Sequence, residues 1–197
     1  MKVWVVTYDQ IRKGVHMLKI VFLAVVGLAL ILTYSHAAEP SPLGKRLPSV
    51  KGEALSRTAV RFPEDTAGAP AILMVAYRRG TQADVDRWTA FLQERAPRTV
   101  RYEVPTIANI LWRPMAGWID SGMRGGVPQE AWSSVVTLYQ DAPKLRDFLG
   151  DYGGTTTHVV LLDREGNVAW FNAGGFSERA GASLLEALQA LSGEASK

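Results

Sequence analysis

Cysteine is absent from all 197 residues, and histidine nearly so, with only His16, His36 and His158. The first absence excludes disulfides, thiolate-bound zinc and nucleophilic thiol chemistry from the chain's own side chains. It also closes lipoprotein anchoring, which needs a cysteine behind the small residues of an export signal. His16 and His36 fall in the leader described below, so one mature chain cannot build a multi-histidine metal site. No metal and no cofactor are expected. A surplus of charge on the body of the chain is lacking too. The formal charge is +3, yet Lys2, Arg12, Lys13 and Lys19 against Asp9 place that whole excess in residues 1–37. Residues 38–197 carry 18 basic and 18 acidic side chains. A balanced domain has no general attraction for a polyanion, so no nucleic-acid partner is expected. The balance is uneven along the chain: Ala38–Arg101 holds 11 basic and 7 acidic residues, and Tyr102–Lys197 holds the reverse.

The leader has the order of an export signal. Lys19 precedes the apolar run Ile20–Leu32, and Ser35-His36-Ala37 puts small residues at the −3 and −1 positions for cleavage after Ala37. Ile20–Tyr34 supplies 15 residues, short of the roughly 20 that a spanning helix wants. Residues 1–37 therefore read as a cleaved signal peptide delivering a periplasmic or secreted domain, with an uncleaved N-terminal membrane anchor as the alternative. Residues 1–16, with Trp4 and Tyr8, are long for the region preceding the apolar run. Met17-Leu18-Lys19 makes a more usual start, so residues 1–16 are expected not to be translated.

Residues 38–48, with Pro40, Pro42 and Pro48, read as an extended lead-in. One domain is expected over 49–193, followed by a tail at 194–197. Leu55–Phe62 alternates weakly and predicts a short edge strand. Ala71–Tyr77 is a continuous apolar run that suits a strand buried on both faces. Thr81-Gln-Ala-Asp84 has capping-box form, and Val85, Trp88, Phe91 and Leu92 follow at helical spacing. Thr99–Val104 alternates again, completing a β-α-β unit with parallel strands. Ile107–Met123 is apolar on nearly every side and predicts a helix broken or started at Pro114. Ser134–Tyr139 predicts a strand and Pro143–Leu149 a short helix. Thr157–Leu162, the turn Asp163–Asn167 and Val168–Asn172 predict a hairpin, and Ser183–Leu191 an amphipathic closing helix.

This order resembles that of the thioredoxins. Thr157-His-Val-Val-Leu-Leu-Asp163-Arg-Glu-Gly166-Asn-Val-Ala-Trp170 is similar to the hairpin of thioredoxin-like and peroxiredoxin-like exported proteins. The implied fold is three-layer α/β/α with a mixed sheet and a helical insertion. In active relatives the reactive cysteines sit where the first buried strand enters its helix, and a cis-proline opens the hairpin strand opposite them. This chain has Arg78-Arg79-Gly80-Thr81-Gln82 at the first place and Thr157 at the second. Tyr102-Glu-Val-Pro105, the apolar stretch with Pro114, and Gln140-Asp-Ala-Pro-Lys-Leu145 resemble the mitochondrial assembly chaperones for the membrane sector of ATP synthase. A bacterial periplasmic family of cysteine-less thioredoxin-like proteins has a similar hairpin.

The resemblance and the missing sulfurs together predict a redox-inactive binding protein of the cell envelope. It would be no enzyme, but an accessory or assembly factor holding a polypeptide, with a membrane-protein segment as one candidate partner. The partner-binding residues expected are Arg78, Arg79 and Thr157 at the former thiol site, and Trp112, Met115 and Trp118 on the apolar stretch. Two alternatives stay open: an enzyme acting on a small anionic substrate through Arg78, Arg79 and Thr155–Thr157, and a structural domain of an envelope complex. A triad of His158, Asp163 and a threonine fails on geometry, because five strand residues span about 16 Å.

Overall fold

The computed structural model describes residues 41–107, 121–150 and 155–194. The signal peptide or anchor, the start at Met17, most of the Ile107–Met123 stretch with Trp112, Met115 and Trp118, and the 195–197 end lie outside them. The compact unit that concerns us spans Pro42–Lys197. In chain order its elements are β1 (Val50–Ala54), β2 (Ala59–Phe62), β3 (Ala71–Ala76), α1 (Gln82–Arg95), β4 (Val100–Pro105), β5 (Val136–Thr137), α2 (Ala142–Leu149), β6 (His158–Leu162), β7 (Val168–Asn172) and α3 (Glu178–Glu194). Among the described residues no helix is long and apolar enough to cross a membrane.

The central sheet has the order β4-β3-β6-β7. β3 runs parallel to β4, with Ala71 opposite Val100 and Ala76 opposite Pro105, and α1 makes the crossover between them. β6 lies antiparallel on the other side of β3, and β7 returns antiparallel to β6. A second sheet, β2-β1-β5, meets the first through parallel bridges from Glu103 to Val135 and from Thr106 to Leu138. β3 is apolar throughout, and β6 is so apart from His158, because packed layers cover both of their faces. On one face Leu73, Val75, Val104, Val160 and Leu162 pack with Leu145 and Leu149 of α2 and with Phe62. On the other, Ile72, Met74, Val159 and Leu161 pack with Trp88 and Leu92 of α1 and Leu184 of α3. That second layer is aromatic: Trp88 stands edge-on to Phe176 at 5.2 Å and to Trp170 at 6.1 Å.

The stretch expected to be one strand from Leu55 to Phe62 is instead the turn and second arm of a hairpin. Its first arm, β1, gave little sequence signal because its inward positions are Val50, Gly52 and Ala54. Gly52 is small for a reason: a Cβ there would lie 2.6 Å from the Val136 side chain of β5. The lead-in is not idle either. Val168 gives its N–H to the Lys45 carbonyl and accepts from Gly44, while Leu47 donates to Gly166 and is buried. Residues 44–47 thus cover part of the outer edge of β7. The edge of β2 is blocked locally, where the Arg61 N–H donates to Asp65 Oδ2. In the β6–β7 turn, Asp163 Oδ1 accepts the N–H groups of Glu165 and Asn167, and Oδ2 accepts from Asn167 Nδ2. Both carboxylate oxygens are used by the turn.

Candidate functional site

The site begins where β3 ends. A single turn, Arg79–Thr81, turns the chain into α1. Arg78 and Gly80 are exposed, and Thr81 is buried. For Arg79 only the backbone is described. Thr81 does not cap α1 in the way its sequence predicts. Its hydroxyl donates backwards to the Arg78 carbonyl at 2.6 Å, closing the turn, and makes no cap bond to the helix.

Asp84, the expected partner in that capping box, does something else. It is buried, with 3 % of its surface exposed. Its Oδ2 accepts the Thr157 N–H at 2.8 Å, and its Oδ1 accepts the Phe176 N–H at 2.9 Å. Arg87, one turn further along α1, donates to Oδ1 at 2.8 Å. One carboxylate therefore ties α1 to the entrance of β6 and to the segment leading into α3. Gly175 makes the second tie sterically feasible. Its φ is +79°, and a Cβ on it would come within 2.9 Å of the Thr156 methyl and 3.2 Å of Asp84 Oδ1.

The structure brings the two expected halves together. A Cβ on Gly80 would lie 3.2 Å from the Thr155 methyl, so the Arg78–Thr81 turn lies against Thr155–Thr157. The three threonines differ in what they present. Thr155 is exposed. Thr156 is half-buried and donates its hydroxyl to the Ala173 carbonyl at 2.8 Å. Thr157 is fully buried, its Oγ1 without a hydrogen-bond partner, and it reaches its surroundings through its N–H to Asp84. That N–H bears on the departure from the family pattern, because proline has none to give. Thr157 is thus matched to Asp84 in a way that a proline is not. Trp112, Met115 and Trp118, the other expected partner residues, lie outside the described residues.

Next to this edge, His158 is buried with its ring edge-on to Tyr77 at 4.9 Å and to Phe171 at 5.9 Å. Asp163 stands beyond the opposite end of β6. On the β4 flank of α1 sits a second acidic group that sequence reasoning passed over. Glu103 has its pKa raised above the ordinary 4.5, first by burial and then by the negative charge of Asp86, against a lowering hydrogen bond from Gln82. Gln82 Nε2 also donates to Asp86 Oδ1 at 3.0 Å. Elsewhere, an open cleft of about 400 Å³ lies over β1 and β5, lined by Lys51, Glu53, Tyr139 and Gln140 among others.

Asp84, Arg87 and Gly175 are the residues of this candidate site that sequence reasoning passed over. The first had a signal: at helical spacing Asp84 falls on the same face as Trp88 and Leu92, a core position for a carboxylate. Its partners, 73 and 92 residues away in the chain, had none.

No family model and no curated protein matches this chain. Solved structures do. The exposed lipoprotein thioredoxin of Streptococcus pneumoniae strain TIGR4 is 16% identical, with 73% of this chain and 99% of that one covered at a TM-score of 0.50. A putative electron transport protein from Aquifex aeolicus VF5 is 15% identical over 77% of this chain and 99% of that one, at 0.53. A putative protein disulfide isomerase from Bacteroides thetaiotaomicron is 15% identical over 77% and 91%, at 0.51. At these identities the likeness shows the fold, which is thioredoxin-like α/β, as the element order predicts. The narrower likeness to the ATP-synthase assembly chaperones has no support from them. They also correct one expectation. Missing cysteine was taken to make this chain no enzyme, yet the neighbours include a thioredoxin and a putative protein disulfide isomerase. The scaffold is one that carries redox enzymes, and the absence of cysteine excludes thiol chemistry by this chain's own side chains but nothing wider.

Proposed function

We propose that this chain is an exported thioredoxin-fold docking protein that holds an extended polypeptide against the β3–α1 edge. In this reading it serves as an accessory or assembly factor in the cell envelope. The observation that carries the proposal is the apposition of Arg78–Thr81 with Thr155–Thr157, at the place where the thioredoxin resemblance implies sulfurs, beside a carboxylate that ties α1 to two backbone N–H groups. Fixing those loops before a partner arrives lowers the ordering cost of binding, which is what a docking edge needs. Gly80 and Thr155 leave the exposed edge low, so an extended backbone can approach closely. A membrane-protein segment is the candidate partner, engaging Trp112, Met115 and Trp118 as well as the edge.

The test is a photo-crosslinking residue placed at Thr155 and, as a control, at Arg61 on the far sheet edge, in the exported protein in intact cells. A discrete adduct from Thr155 that is missing from Arg61, and that is lost when Gly80 is replaced by tryptophan, is the expected result. Equal adducts from both positions, or an adduct indifferent to Gly80→Trp, would sink the reading.

A further inference from the structure

We infer that the open cleft over β1 and β5 is a binding site for a small saccharide, independent of the docking edge. The cleft holds about 400 Å³ and is lined by Lys51, Glu53, Ala59, Thr137, Tyr139 and Gln140 around Gly52. That volume falls at the lower end of the range for ligand clefts, roughly 300–1,000 Å³. The strand pattern gathers these groups on one face. β1 turns Val50, Gly52 and Ala54 inward and leaves Lys51 and Glu53 outward. Glu53 stands opposite Ala59 on one side and Thr137 on the other, and the side chains of paired residues share a face. Tyr139 and Gln140 form a further wall. The residue after them, Asp141, accepts the Lys51 N–H at 2.7 Å and so ties that wall to β1.

Thr137 is the observation that points to a ligand. It is fully buried, and its Oγ1 has no hydrogen-bond partner among the described residues. Valine would fill this place in a strand without leaving a hydroxyl unmatched, so the hydroxyl needs another reason. The side chains of Lys51, Glu53 and Gln140 are exposed and make no hydrogen bond or ion pair among the described residues. They can turn aside to admit a ligand to Thr137 and then bind it. The donor set selects the ligand class. Lys51 only donates, ionised Glu53 only accepts, and Gln140 and Thr137 do both. A molecule that meets all four must donate and accept at closely spaced points, as neighbouring sugar hydroxyls do. One ammonium and one carboxylate in the same lining favour neither sign of charge, and Tyr139 and Ala59 add apolar surface for the C–H face of a sugar ring.

Saturation-transfer NMR on the purified exported protein tests this, with glucose, N-acetylglucosamine, maltose and chitobiose as probes and glycylglycine as a zwitterionic control. At least one of the sugars should give a saturable signal at millimolar concentration, and glycylglycine should give none. Glu53→Ala should weaken binding by about tenfold, the worth of one hydrogen bond to a charged group, and Gln140→Ala by less. Thr137→Val should weaken it too, while leaving the urea midpoint equal to or above that of the parent, which loss of a hydroxyl needed by the fold would not do. Gly80→Trp, at the docking edge, should change nothing. Saturation by none of the sugars overturns the inference. So does glycylglycine binding as well as a sugar with the same dependence on Glu53, or a sugar signal indifferent to both Glu53→Ala and Thr137→Val. A Thr137→Val variant that unfolds at lower urea would assign the hydroxyl to the fold and overturn it. A sugar signal lost with Gly80→Trp would place the ligand at the docking edge, with the same consequence.

Discussion

The two flanks of α1 bury carboxylates in opposite ways. On the β6 side, Asp84 sits below the surface with two backbone N–H groups and a guanidinium pointed at it. On the β4 side, Glu103 is partly buried beside Asp86, with a glutamine amide as its helper. Desolvation acts on both. Fixed donors offset it for Asp84, whereas a neighbouring negative charge adds to it for Glu103. The first arrangement organises three elements around one point, and the second is a local electrostatic burden on the fold. The candidate docking edge is built on the organised flank.

Breaking that organisation should have the largest effect. Asp84→Ala leaves the buried N–H of Thr157 without its acceptor and frees the Phe176 N–H and Arg87, a loss of about 3–5 kcal/mol by analogy with other buried hydrogen-bonded charges. Urea unfolding should show it as a lower midpoint with an unchanged slope. A cost below about 1 kcal/mol would mean that Asp84 is not the tie described. Thr157→Pro comes next. It puts in place the residue that the resemblance to the thioredoxins implies there, but removes the donor to Oδ2, for an expected loss of about 1–3 kcal/mol. Thr157→Val keeps the N–H and removes only a buried hydroxyl that has no partner, so it should lie within about 1 kcal/mol of the parent or stabilise it. A proline variant as stable as the valine variant would show that the N–H to Asp84 does not matter.

What the sequence revealed follows the range of the forces involved. β3, α1, β4, the β6–β7 hairpin and α3 were legible because the burial pattern repeats within each element, at period 2, at period 3.6 or as an unbroken apolar run. β1 was not, because Gly52 fits the close approach of β5, a fact about a strand more than 80 residues on. The site divided along the same line. Arg78–Thr81 and Thr155–Thr157 were placed opposite one another by the resemblance to the thioredoxins. The role of Asp84 was misread, since Thr81-x-x-Asp84 satisfies a local rule that the folded chain does not use. A capping bond is worth about 1 kcal/mol, and the carboxylate finds more by reaching the amides of Thr157 and Phe176. Local rules lose where a distant group makes a better offer, and here that happens at the site itself.

The smallest effect belongs to the other flank, and its sign can be worked out. The folded chain holds the Glu103 proton more tightly than the unfolded chain does, because its pKa is raised above the ordinary 4.5. Stability contributed by the protonated form is therefore complete below 4.5 and is lost as pH climbs through the raised value. Above the raised value Glu103 is ionised against burial and against Asp86. Glu103→Gln removes that opposition while leaving an amide for Gln82 to meet. The variant should be more stable than the parent at pH 7, and the difference should close as the pH falls below 4.5. Paired urea titrations at pH 7 and pH 4 test both halves. A gain of the same size at the two pH values would assign it to packing. A loss at pH 7 would mean that the Gln82 bond outweighs desolvation, and the contrast between the flanks of α1 would then be one of degree.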